Sequence, residues 1–165
     1  MMATLHMIEG PVGAGKTTFA NDLGRKLQSP PLILDAWFVT LFVGDKPDQG
    51  LWDWYAARKK RCVDQMTDVA QGLIENGHDA IVELGLIQRS ARFEYYMRLE
   101  AFQIPYVVHV LDAPQHERLA RVRQRNTEKG VTFAMTVSDD AFATASKLWE
   151  PPDATERKGR DIRIA

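Results

Sequence analysis

Gly10-Pro11-Val12-Gly13-Ala14-Gly15-Lys16-Thr17 sets two glycines, a lysine and a hydroxyl at the spacing G-x-x-x-x-G-K-T. Each residue type has a separate use around a phosphate. Glycines let successive backbone N–H groups turn inward where a side chain would block approach. Lys16 brings a charge to the β- and γ-phosphates, Thr17 a hydroxyl to Mg²⁺, and Thr18 a second hydroxyl near the α-phosphate. The apolar run Leu5-His6-Met7-Ile8 precedes the segment, and Phe19, Leu23 and Leu27 repeat after it at four-residue spacing. That context places it between a strand and the amino end of a helix, where the dipole favours anions. The segment reads as a Walker A P-loop for a nucleoside triphosphate.

Further groups able to work on phosphates lie downstream. Asp35, expected at the end of a second strand, fits a base that orients or deprotonates a hydroxyl attacking the γ-phosphate. It equally fits the cap of a helix starting at Ala36. Glu83, closing Ala80-Ile81-Val82-Glu83, falls where a Walker B acid would hold Mg²⁺ through water, or serve as a structural acid beside an arginine. Arg89 and Arg92 follow, as substrate or phosphate ligands or as solvated helix residues. Arg118, Arg121, Arg123 and Arg125 crowd the next basic stretch, with Arg121 and Arg125 on one helix face at i, i+4. Like charges so placed repel unless an anion bridges them, and the guanidinium fork suits phosphate oxygens. With the polar stretch Thr127-Glu128-Lys129-Gly130, this region reads as a lid over the nucleotide.

These residues need a frame. Short β-rich runs near 4–9, 32–35, 79–84, 105–111 and 161–164 alternate with helical patterns near 16–28, 51–76, 89–102, 114–126 and 138–149. That alternation predicts an α/β fold, a parallel sheet covered on both faces, with ligands beyond the carboxyl ends of the strands. Ser29-Pro30-Pro31 stops the first helix, Gly77 closes the second and Pro105 opens the fourth strand. The 165 residues, 45% apolar, suit a single domain over 1–165. A formal charge of −1 leaves no global footprint for nucleic acid. One cysteine, Cys62, rules out an internal disulfide. The start Met1-Met2-Ala3-Thr4 lacks the basic flank and long apolar core of a signal peptide, and no run is long enough to span a bilayer. The expected location is the cytoplasm.

Residues 36–61 combine Trp37, Phe38, Trp52, Trp54 and Tyr55 with Arg58-Lys59-Lys60-Arg61. Aromatic rings beside a basic run could grip a base, a flat ring or a sugar. Core packing and a solvated basic face account for them equally well.

The P-loop, Asp35, Glu83 and the Arg-x-x-x-Arg lid together resemble the small P-loop kinases. That group includes shikimate and gluconate kinases, chloramphenicol phosphotransferase, zeta toxins and the phage polynucleotide kinase domain. Within it the chain is most similar to AAA-like ATP-binding kinases, through the Arg125-Asn126 start of the lid and the segment Trp149-Glu150-Pro151-Pro152. The resemblance implies a P-loop NTPase three-layer sandwich with a lid, its five-stranded sheet in order 2-3-1-4-5. It implies that Gly13, Ala14, Gly15, Lys16, Thr17 and Thr18 bind ATP, with Arg121 and Arg125 on adenine and phosphates. Lys16, Asp35 and Arg125 would then serve the reaction, and Thr17 with Glu83 would hold Mg²⁺. Glu83 stands where Asp is commoner, and no Asn-Lys-x-Asp string supports a guanine-specific GTPase. The expectation is an ATP- and Mg²⁺-dependent kinase acting on the hydroxyl of a small molecule. A polynucleotide 5′-hydroxyl kinase and a nucleotide-operated switch are the alternatives.

Overall fold

The computed structural model describes residues 2–130 and 134–165. Strand β1 (Leu5–Glu9) runs through the P-loop into α1 (Lys16–Leu27), and β2 (Leu32–Ile33) turns directly into α2 (Leu34–Phe42). A 3-10 turn (Val43–Asp45) leads to α3 (Leu51–Glu75), then β3 (Ala80–Glu83), α4 (Arg89–Ala101) and β4 (Tyr106–Val110). After α5 (Gln115–Glu128), α6 (Asp139–Leu148) and the single turn α7 (Ala154–Arg157), β5 (Ile162–Ile164) completes the sheet. All pairings are parallel, in the order β2-β3-β1-β4-β5. This is the P-loop NTPase fold expected from the sequence.

Alternation along the strands builds the three layers. Leu5 and Met7 of β1, Ala80 and Val82 of β3, and Val108 and Val110 of β4 share one core with Phe38 of α2, Met66 of α3 and Tyr96 of α4. Ile8 and Ile81 point the other way, onto Ala20, Phe19, Leu23 and Leu27 of α1. The stripe read from the sequence is thus the underside of α1. Central strand β1, hydrogen-bonded on both edges, fixes the loop that follows it.

Two boundaries differ in ways that matter. β2 ends at Ile33 rather than residue 35, because Leu34 and Phe38, 3% and 5% exposed, bury one helical face from Leu34 onward. Asp35 is therefore neither a strand residue nor a helix cap: the cap position is Ile33, which makes no side-chain bond there. At the lid, Thr127 and Glu128 extend α5 instead of forming a loop, and Thr127 Oγ1 donates to Arg123 O at 3.2 Å. Val131, Thr132 and Phe133 lie outside the described residues.

Arg92 corrects another expectation, for it is neither solvated nor a ligand for phosphate. It is fully buried, and its Nε and Nη2 donate to Glu156 Oε1 and Oε2 at 2.7 and 2.9 Å. Its remaining donors reach Leu86 O at 3.0 Å and Glu150 O at 2.7 Å, with Trp149 stacked 5.1 Å from the guanidinium. Tyr96 Oη also donates to Glu156, at 2.9 Å. The Trp149–Pro152 segment is thereby pinned to α4. Arg89, the other expected ligand, is ion-paired with Asp153, and Glu150 accepts from its backbone N–H at 2.7 Å, capping α4. Both arginines hold the carboxyl-terminal segment.

Removing one partner of a buried, hydrogen-bonded ion pair strands the other. Glu156→Gln should cost about 3–5 kcal/mol and lower the midpoint of thermal unfolding by about 10 °C, read by circular dichroism. A midpoint shift under about 3 °C would show that the pair does not hold this segment in place.

Candidate nucleotide and acceptor site

The P-loop is shaped by what presses on it. Gly10 has φ 149° and Gly13 φ 80°; a Cβ on the first would lie 2.1 Å from Leu111 O, and on the second 2.6 Å from Arg118 O. Only glycine fits at either place. Gly15, at φ 92°, starts α1 from the left-handed region and has open space where a Cβ would stand. Arg118 closes the far side: it is buried, and its Nη1 donates to Val12 O at 2.9 Å and to Ser146 Oγ at 3.2 Å. Arg118 is thus structural, a strut between loop, α5 and α6, and separate from the other arginines of its cluster.

A cavity of about 740 Å³ opens over this loop. Gly13, Gly15, Lys16, Thr17 and Thr18 line it, while the methyl of Ala14 is buried beneath, its N–H donating to Pro11 O at 3.2 Å. Lys16 Nζ donates to Pro11 O at 2.9 Å, so the lysine lies along the loop. Thr17 Oγ1 donates to Glu83 Oε2 at 3.1 Å. Glu83 closes β3 beside β1, which is why hydroxyl and carboxylate meet. Burial raises the Glu83 pKa and Lys16 opposes that rise. A hydroxyl and a carboxylate in contact at the head of α1 are oxygen donors suited to Mg²⁺, which keeps several waters and takes few protein ligands.

Asp35 and the arginine pair flank the cavity from opposite sides. Asp35 comes from α2 after the edge strand β2; Arg121 and Arg125 come from α5, which follows β4. The argument from repulsion needs correction, because Glu117 stands 3.6 Å from Arg121 and offsets its charge. Among the described residues Arg125 has no such partner, and its Nε is shielded from water without an acceptor. Arg123 points away, donating to Asp139 at 2.6 Å. Asn126 holds the base of the following segment, exchanging hydrogen bonds with Val137 O at 2.7 Å and Val137 N at 3.0 Å.

Glu9 was not read from the sequence as a site residue, and Tyr55 and Lys59 were read only as members of the aromatic and basic stretch 36–61. Glu9, directly before Gly10, is 1% exposed, and burial pushes its pKa up to about 8. It is largely protonated at neutral pH, which spares the phosphates a carboxylate beneath them. Tyr55 and Lys59 of α3 also line the cavity. Their signal was positional: Tyr55, Lys59, Cys62 and Met66 follow one helical face. The rest of the basic run disperses, with Arg58 4.7 Å over Trp54 and Lys60 2.5 Å from Asp64. Of the aromatics, Trp54 and Tyr55 pack on Phe38, and only Trp52, 78% exposed, faces solvent. The stretch does not form a basic, aromatic face for nucleic acid.

Lys16→Ala should abolish measurable nucleotide binding in calorimetry with an unfolding midpoint near that of the parent; equal binding by both proteins would remove Lys16 from the site. Arg121→Gln with Arg125→Gln should weaken ATP at least about tenfold, as loss of charge-assisted bonds to phosphate predicts, and AMP much less. Equal weakening of both nucleotides would mean that the pair meets adenine rather than the outer phosphates.

The comparisons agree with this fold. A family model described as an AAA domain matches residues 5–152. No curated protein matches the sequence. Among solved structures, an inferred kinase from Chloroflexus aurantiacus aligns over 99% of this chain and 85% of its own, with 17% identity and a TM-score of 0.75. Kti12 of Chaetomium thermophilum, solved with ADP-AlF3, aligns over 98% and 88% with 14% identity and a TM-score of 0.66. A gluconokinase from Sinorhizobium meliloti aligns over 99% and 82% with 15% identity and a TM-score of 0.58. The shared fold is that of the P-loop kinases, and the chain belongs to the AAA domain family.

Proposed function

We propose that the protein is an ATP- and Mg²⁺-dependent kinase that transfers the γ-phosphoryl group to a hydroxyl of a small molecule. The observation that carries this reading is Asp35, a carboxylate on the wall of the cavity that holds the P-loop, on the side away from Arg121 and Arg125.

The steps follow from the placement. Backbone N–H groups of the loop and Lys16 hold the β- and γ-phosphates, and Arg125 adds donors to the oxygens that gain charge as the bond to the leaving oxygen lengthens. Thr17 and Glu83 would hold Mg²⁺, which supplies further neutralisation of the phosphates when bound. Asp35 orients the acceptor hydroxyl and takes its proton as the oxygen bonds to the γ-phosphorus and ADP departs. Ala134, Met135 and Val137, the last tied to Asn126, line the cavity and would help to keep water from it.

Near-neutral charge, the absence of a basic face in 36–61 and a cavity of small-molecule size favour a small acceptor over a polynucleotide end. Asp35→Asn conserves volume and removes the proton acceptor. It should lower acceptor-dependent ADP release about 10²-fold while leaving ATP affinity within about twofold and stability unchanged, since Asp35 makes no capping bond. Turnover within about threefold of the parent, too small a change for a general base, would favour a nucleotide-operated switch.

A further inference from the structure

Lys59 is left over when the charges of the cavity are assigned. It lines the wall with Asp35, Tyr55 and Gly85, and its Nζ donates one bond, to Gly85 O at 3.2 Å. An ammonium has three donors. Among the described residues no carboxylate comes within ion-pairing distance of it, whereas the adjacent Lys60 is paired with Asp64. Burial pulls its pKa down, while the fields of Asp35 and Glu9 hold it up. A cation drawn partly out of water with donors unfilled is costly unless an anion completes it.

Topology decides which anion. Lys59 comes from α3 and reaches the loop after β3, on the β2–β3 side of the sheet that also carries Asp35. The phosphate-facing arginines stand on the opposite, β4 side. Lys16 lies along the P-loop itself. Lys59 therefore faces the space left for the acceptor. The remainder of that wall includes Ile33, Val39 and Ile87, so the cation stands among apolar groups where an oxyanion gains most from it.

We propose that the acceptor carries, besides its reacting hydroxyl, an oxyanion that binds Lys59 Nζ, making the substrate a hydroxy acid or a phosphorylated alcohol. This rests on the kinase reading and narrows it: Asp35 meets the hydroxyl, and Lys59 selects for charge at the other end. An uncharged alcohol would leave Lys59 unanswered.

The test uses the full chain loaded with Mg²⁺ and a non-hydrolysable ATP analogue, titrated in a calorimeter with D-glycerate, inorganic phosphate and glycerol. D-glycerate or phosphate should bind saturably, and which of them does so distinguishes carboxylate from phosphoryl recognition; glycerol should give no binding at the same concentration. Lys59→Met should weaken the bound anion at least about tenfold, with Lys59→Arg retaining binding and the exposed Lys60→Met unchanged. Thermal unfolding of each variant separates lost folding from lost contact. Binding that survives in Lys59→Met, failure of both anions to bind the loaded parent protein, or a loss of affinity for the ATP analogue itself in Lys59→Met would overturn the assignment. Failure of the parent protein to bind the analogue would instead overturn the kinase reading on which it rests.

Discussion

Between the P-loop and the chain leading into α5 there is no room for a side chain: Gly10 and Gly13 rest against the carbonyls of Leu111 and Arg118. The close approach does more than permit an anion-binding turn. It joins the loop after β1 to the helix after β4, so that Arg118 can brace Val12 while Arg121 and Arg125, one and two turns on, project over the same cavity. Central strand β1 carries the loop at a fixed height, and its parallel partner β3 brings Glu83 to Thr17. The lower half of the site is thus set by backbone contact and strand register, and the upper half by one helix.

The P-loop and the alternation of strands with helices were legible because both are local in sequence, whereas the order of the sheet came from the resemblance to the small P-loop kinases. Strand β1 reads as an apolar run, and the glycines stand at fixed spacing. Asp35 shows the limit of that locality. Its neighbours Leu32-Ile33-Leu34 read as a continuing strand, but burial of Leu34 and Phe38 against α3 and the sheet turns the chain helical two residues early. The carboxylate still reaches the cavity, from a helix instead of a strand end.

Arginines and lysines were harder to read, since their type says nothing about their partners. Arg92 looks like any helix arginine until Glu156, 64 residues later, returns to it. Arg118 and Arg121 share a cluster but not a role, for one is buried against the P-loop and the other faces the cavity. Lys59 lay inside a run of four basic residues whose helical face settles everything: the residues on either side of it turn to Trp54 and Asp64, and Lys59 alone turns inward. Composition could not divide that run, whereas the inward stripe through Tyr55, Cys62 and Met66 could.

Asymmetry within the arginine pair sharpens the account of the phosphate side. Arg121 stands 3.6 Å from Glu117, an exposed contact that partly offsets what it offers an arriving anion. Arg125 meets no carboxylate among the described residues, and its Nε is held away from water without an acceptor there. An unsatisfied, shielded donor on a cationic group is expensive in isolation, and the fold keeps it on the wall of the cavity that the P-loop lines. Glu9, its pKa raised to about 8 by burial, adds little negative charge beneath the loop, and Glu83 and Asp35 are the carboxylates that line the cavity. On the proposed kinase reading, the outer phosphates would meet Lys16 of the P-loop and Arg125 of α5, and Arg121 would be left to serve the flatter surface of a base.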